Sequence, residues 1–304
     1  MSELEKLYKD IATDVWDRMK FALETNSKIS ETTLTENLLF MINKYRSYSK
    51  DNSIRIYESK DEKANGNDLE IYLEISKNKY ILLVIQAKKL YTKEQKYKAI
   101  NHKIGTNYQI DLLENYANSK NGLALYLLYN FAPDCIYENK EYFGCTLIEA
   151  LQIKKNYYPK SKHWKIPSFN DLHKCNARLH VNSFRFKNNY FNFLRCGLPW
   201  HFLANNKYFE KYVNYYNEKN LQRIKEYMED EIVDHKIDEW IEIGSGKVGD
   251  EDIEVEKYNV SEKVTLESTI INEKNLDYEE EFQKRFFKPK FKMLIGLEKD
   301  NELK

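Results

Sequence analysis

Residues 68–88 constrain the fold more than any other stretch of the chain. Asp68 to Ile75 alternates, with Leu69, Ile71, Leu73 and Ile75 on one side and Asp68, Glu70, Tyr72 and Glu74 on the other. That is the period of a half-buried strand. Tyr80 to Ile85 is apolar on both sides before the run closes in Gln86-Ala87-Lys88, the pattern of a strand inside a sheet. The polar residues Ser76 to Lys79 fit a tight turn, so the two runs predict an antiparallel hairpin. Opposed residues of such a pair share a face. A three-residue turn over 76–78 or 77–79 sets Asp68 opposite Gln86 or Lys88, and a two- or four-residue turn breaks that parity. Gln86 and Lys88, two apart, share a face whatever the turn.

The flanking patterns supply the other layers. Residues 2–24 predict an amphipathic helix: Ser2-x-x-Glu5 reads as a capping box, and Leu4, Leu7, Ile11, Val15 and Met19 recur at helical spacing. A second helix is expected from about Leu34 to Tyr45, opened by the capping box Thr33-x-x-Glu36. Ile54 to Glu58 predicts a short strand. A Lys-rich connection leads to a helix near Tyr108 to Asn118, a strand from Leu123 to Tyr129, and a helix or strand from Gly144 to Gln152. Beyond residue 150 the pattern weakens. A helix is expected over Lys207 to Asp230, a turn region at Gly244 to Asp250 and a strand at Phe291 to Leu297. The expected class is α/β: a mixed sheet flanked by helices over residues 1–150, then a basic, aromatic region over 151–223 and an acidic C-terminal region over 224–304.

The ends of the hairpin carry the chemistry. Phosphodiester hydrolysis needs a metal to polarise the phosphate and a water to attack it. Magnesium takes oxygen ligands, and few of them from the protein. A carboxylate at Asp68 and an amide oxygen at Gln86 suit Mg2+ or Mn2+, and Lys88 is placed to orient the water and stabilise developing charge. Each residue also has a plainer reading: Asp68 as a turn residue, Gln86-x-Lys88 as a chance pattern in a Lys-rich chain.

Gly66-Asn67-Asp68, a hairpin, then Gln86-Ala87-Lys88 resembles the PD-(D/E)xK nuclease superfamily, in particular the Mrr-like branch in which Gln replaces the second acid. Thr33-Leu-Thr-Glu36, Gly66-x-Asp68 and Gln86-Ala-Lys-Lys-Leu90 are also similar to a bacterial restriction-endonuclease-like family. The resemblance spans roughly residues 30–130. It implies a restriction-endonuclease-like sheet, and a C-terminal α+β extension is expected beyond it. It implies Asp68 as metal ligand, Gln86 as a weaker ligand and Lys88 as the catalytic lysine. Glu36 becomes the helix glutamate aimed at the metal, although closing the capping box with Thr33 is an equal reading. The expected activity is a Mg-dependent endonuclease, by resemblance in restriction or antiphage defence, with DNA as substrate and a second copy or a defence-system protein as possible partner. Asn67-Asp68 stands where the superfamily has Pro-Asp. With Gln86 for an acid the site carries one charge fewer, which weakens metal affinity. Glu70 is a second-ligand candidate or a solvated sheet residue, and Glu58 a weaker candidate. Tyr108 and Gln109, opening the following helix, either face the site or serve as cap and surface.

Charge is unevenly spread in a chain of 304 residues whose formal net charge is zero. Residues 151–223 hold 14 Lys or Arg against three acids, while residues 224–304 hold 13 against 23. The basic block favours a nucleic-acid face, with Lys154, Lys155, Lys160, Lys162, Lys165, Arg178, Arg185 and Lys187 as the candidate phosphate contacts. Its aromatics are expected mainly in the core, with base stacking as the alternative. No signal-peptide pattern and no bilayer-length apolar run is present, so a cytoplasmic protein off the membrane is expected, with Cys135, Cys145, Cys175 and Cys196 reduced. His173-x-Cys175, His180, Cys196 and His201 fit no zinc-finger spacing. The competing functions are a non-catalytic nucleic-acid-binding module with a degenerate site, favoured by Gln86, and a protein-interaction module built on the opposed charge blocks.

Overall fold

The computed structural model describes residues 2–49, 54–59, 69–104, 106–133, 140–158, 164–173, 197–204, 206–218, 224–228, 231–232, 240–243 and 291–295. Its helices are α1 (Glu3–Glu24), α2 (Glu31–Ser49), α3 (Gln109–Ser119), α4 (Lys140–Phe143), α5 (Ala150–Tyr157) and α6 (Asn206–Glu218). Its strands are β1 (Ile54–Ser59), β2 (Leu69–Ser76), β3 (Lys79–Lys89), β4 (Lys103–Ile104), β5 (Asn107–Tyr108), β6 (Leu123–Tyr129), β7 (Cys145–Glu149), β8 (Leu198–Pro199), β9 (Glu226–Tyr227), β10 (Trp240–Ile243) and β11 (Phe291–Ile295). The class is mixed α/β, as expected.

α1 forms where its caps and period place it. Ser2 accepts from the Glu5 N–H at 3.1 Å, and Leu4, Leu7, Ile11, Val15 and Met19 are buried. α2 starts earlier than the Thr33 capping box implies. Ser30 Oγ accepts from the Thr33 N–H at 2.9 Å, so Ser30 is the cap and Glu31 lies in the first turn.

One sheet runs in the order β10-β1-β11-β2-β3-β6-β7-β8. β2 and β3 are antiparallel, with Leu69 opposite Ile85 and Glu74 opposite Tyr80. Their turn, Lys77-Asn78, is two residues long, which alone would reverse the faces. The register slips between Glu74 and Ser76, and the extra residue, Ile75, restores the parity. Asn78 takes the left-handed conformation (φ 57°), and its N–H donates to the Glu74 carboxylate at 2.6 Å. β3 then pairs parallel with β6 from Leu83 to Lys89, across a connection that contains α3. β9 pairs with β3 at Tyr80 and Ile81, before β6 takes over.

β1 does not neighbour β2: β11 lies between them, antiparallel to β1 and parallel to β2. One expectation is corrected. The helix expected over Lys207 to Asp230 ends at Glu218. Asn217 Oδ1 accepts from the Ile224 N–H at 3.0 Å, and Tyr227 goes to a strand instead. β8 belongs to the basic region and β9 to β11 to the acidic one, so both regions contribute strands to the sheet of the first 150 residues. The Gly244 to Asp250 turn region lies outside the described residues. No helix among the described residues is long and apolar enough to cross a membrane.

Candidate functional site

β3 is buried from Tyr80 to Ile85, and its polar side chains lie at its two ends, Lys79 at the start and Gln86, Lys88 and Lys89 at the C-terminal end. Alternation turns Gln86 and Lys88 to one side, and α3 meets them there. Gln109, the first residue of α3, spans the two: its Nε2 donates to Gln86 Oε1 at 2.8 Å, and its Oε1 accepts from Lys88 Nζ at 2.8 Å. Gln86, Lys88 and Gln109 are 5%, 4% and 9% exposed. An ammonium taken that far from water is costly unless hydrogen-bonded and near opposite charge. Glu31 supplies the charge, with Oε2 3.9 Å from Lys88 Nζ, while its Oε1 accepts from the Lys89 N–H at 3.1 Å. The next residue along, Lys89, points to the α2 side and donates to the Ile29 carbonyl at 2.5 Å.

The helix carboxylate near Lys88 is therefore Glu31, and Glu36, expected in that role, is exposed. At about 100° per residue, five positions along a helix turn a side chain about 140° away, so the two do not share a face. Glu31 was readable as the acid following a capping Ser, but the Thr33-x-x-Glu36 pattern masked it. Asp68 and the side chain of Glu58 lie outside the described residues. Leu69, the residue after Asp68, is opposed to Ile85, the residue before Gln86.

Glu70 is not a solvated sheet residue. It is 2% exposed, and the Tyr116 hydroxyl on α3 donates to its Oε1 at 2.5 Å. Tyr72 and Tyr227 complete the group, edge to face at 5.6 Å. Burial, and secondly the charge of Glu70, raises the phenol pKa of Tyr72 and Tyr116 well above the usual value, and Tyr227's is pushed up to about 12.

The candidate phosphate contacts separate. Lys154 is held by Asp111 Oδ1 at 2.7 Å and Glu114 Oε2 at 2.6 Å, so its charge is met within the protein. Burial pulls its pKa down, but those two bonds outweigh it and keep the pKa above the ordinary value. Lys155 and Lys165 are exposed. Lys160, Lys162, Arg178, Arg185 and Lys187 lie outside the described residues. His173 belongs to the core: Thr146 Oγ1 lies 2.9 Å from its Nε2 and the Phe169 carbonyl 2.8 Å from its Nδ1. His201 packs edge-on against Tyr142 at 5.0 Å. Cys135, Cys175, His180 and Cys196 lie outside the described residues, and Cys145 is a buried free thiol. Among the described residues no group of three or more His, Cys, Asp or Glu could hold a metal.

Residues 4–231 match the family model described as "Family of unknown function (DUF6615)". That span runs from α1 past β9 and includes every residue of the Gln86–Gln109–Lys88 group. No curated protein and no solved structure matches the chain.

Proposed function

We propose that this chain, which belongs to the family of unknown function DUF6615, is a metal-dependent nuclease acting on DNA. The observation that carries the proposal is the placement of Gln86 and Lys88 on one face at the end of β3, under the first residue of α3. The element order around them supports the restriction-endonuclease-like reading: a helix, a strand, an antiparallel hairpin, then a helix leading to a parallel strand.

Gln86 Oε1 is the kind of donor magnesium accepts, and it keeps a second lone pair beside its bond from Gln109. The formal charge for an ion would come from Asp68, since the described residues contain no carboxylate cluster. A bound divalent ion would supply Lewis-acid polarisation of the scissile phosphate. The chain's own residues do the rest. Gln109 holds the ammonium of Lys88 and the amide of Gln86 in fixed relation. Lys88 stabilises negative charge developing on the phosphate. Glu31, on α2, sets a carboxylate oxygen 3.9 Å from that ammonium.

One observation favours a second reading, a nucleic-acid-binding module whose site has become a structural network: Gln86 and Lys88 are buried, and both bond to Gln109. Incubating plasmid and single-stranded DNA with the purified protein and magnesium or manganese separates the two. Metal-dependent cutting, reduced about a hundredfold or more in Lys88→Ala, is the expected result. Retarded but intact DNA establishes the binding module.

A further inference from the structure

Beside the polar group, the same end of α3 carries an aromatic one. Tyr108, the residue before Gln109, meets Tyr158 at 5.3 Å and Trp164 at 5.5 Å between ring centroids, and Tyr158 and Trp164 stack at 4.6 Å with 20° between planes. All three residues are partly exposed, the Trp164 Nε1 being buried. Lys103 Nζ sits over the Tyr108 ring, 4.6 Å from its centroid. A backbone bond from the Lys165 N–H to the Tyr157 carbonyl, 3.0 Å, ties the Tyr158 and Trp164 ends of this segment together.

The sequence around these rings is rich in lysine. The stretches 96–108 and 150–170 contain eight lysines and no acidic residue. Two of those lysines are met within the protein, Lys98 by Glu94 and Lys154 by Asp111 and Glu114. Lys103, Lys155 and Lys165 are exposed. Half-open rings flanked by exposed lysines are the combination that holds a nucleotide by its base and its phosphate together. A paired base inside a duplex has its faces covered by its neighbours, so the ring surface suits an unpaired one.

We infer that Tyr108, Tyr158 and Trp164 form a stacking platform for an unpaired base, and that the substrate is single-stranded or locally unpaired nucleic acid delivered to Lys88 and Gln86. The inference deepens the nuclease reading by naming its substrate class, and rests on it for the last step alone. The platform's existence is tested by binding, without metal.

The experiment measures fluorescence anisotropy of labelled oligo(dT), oligo(U) and a matched duplex with the full chain in EDTA at low salt, alongside tryptophan emission. Single strands bind about tenfold or more tightly than duplex and quench the emission. The oligo(dT) and oligo(U) arms distinguish DNA from RNA. Tyr158→Ala weakens single-strand binding about tenfold, and Tyr158→Phe restores it. Trp164→Phe keeps most of the affinity and loses most of the quenching. Equal affinity for single strand and duplex overturns the inference. So does a folded Tyr158→Ala protein that binds like the wild type. If Tyr158→Ala does not fold, absence of Trp164-dependent quenching overturns it. Single-strand binding without cleavage removes the nuclease reading and leaves the platform. Cleavage without a single-strand preference does the reverse.

Discussion

Two buried polar groups sit on neighbouring strands of one sheet, and they differ in charge. Where β6 runs into β7, Asn130 donates to the carbonyls of Leu128 and Phe143 and to Thr146 Oγ1, and accepts from Tyr97. Thr146 Oγ1 also lies 2.9 Å from His173 Nε2, and the other ring nitrogen, Nδ1, donates to the Phe169 carbonyl. None of these groups need be charged, and their bonds join β6, β7 and the segment holding His173. At the end of β3 the group of Lys88, Gln109 and Gln86 also fits by hydrogen bonds, but it contains an ammonium, with a Glu31 carboxylate oxygen 3.9 Å away. A network that needs no charge is explained by packing alone. A buried ammonium at a strand end carries a desolvation cost that its hydrogen bond and a nearby carboxylate must offset, so its presence points to a task.

If that distinction is right, the first group should be the costlier to disturb. Asn130→Ala removes four hydrogen-bonding contacts at a fully buried position and lowers stability by about 3–5 kcal/mol, read from denaturant midpoints. A loss under about 1 kcal/mol would show that the neutral network is not structural. Next in size, Tyr116→Phe deprives the buried Glu70 carboxylate of its hydroxyl donor and costs about 1–3 kcal/mol. Its effect on cleavage should be small, because the Tyr116 hydroxyl bonds to Glu70. A loss of cleavage equal to that of a Lys88 variant would place Glu70 in the site.

The smallest effect is in alkali. Tyrosine side chains in the unfolded chain release their protons near pH 10.0, while folded Tyr227 holds its proton to about 12 and Tyr72 and Tyr116 hold theirs more firmly still. Above pH 10 the unfolded state binds fewer protons than the folded one, so stability falls as pH rises through this window. Thermal melts from pH 8 to pH 11 should show the decline, and Tyr72→Phe should flatten it. A curve of equal slope in the variant would deny Tyr72 its part.

The particulars show which physics was local. α1 was legible because its cap and its period lie in consecutive residues, and Leu123–Tyr129 because its apolar run has clear ends. The pairing of Gln86 and Lys88 on one face needed only the two-residue period. The Ile75 bulge left no mark in the sequence, and without it the two-residue turn would have turned Glu70 away from α3. β11 was foreseen as a strand but not as the neighbour of β2, since that contact joins positions more than two hundred residues apart. Lys154 looked like a phosphate contact because its partners, Asp111 and Glu114, are about forty residues earlier. Gln109 was visible as the residue opening a helix after the Gln86-Ala87-Lys88 strand end, and its bonds to both could be known only from the fold. Glu31 was overlooked because a second, plausible cap lay three residues later.

The most direct test replaces Lys88 by a side chain of similar reach and no charge, and measures two quantities on the same preparation. Lys88→Met leaves Gln109 Oε1 buried without its donor and should cost about 1–3 kcal/mol of stability, while metal-dependent cleavage of DNA falls about a hundredfold or more. A variant that cuts as well as the wild type would show that Lys88 serves the core alone, and would contradict the account.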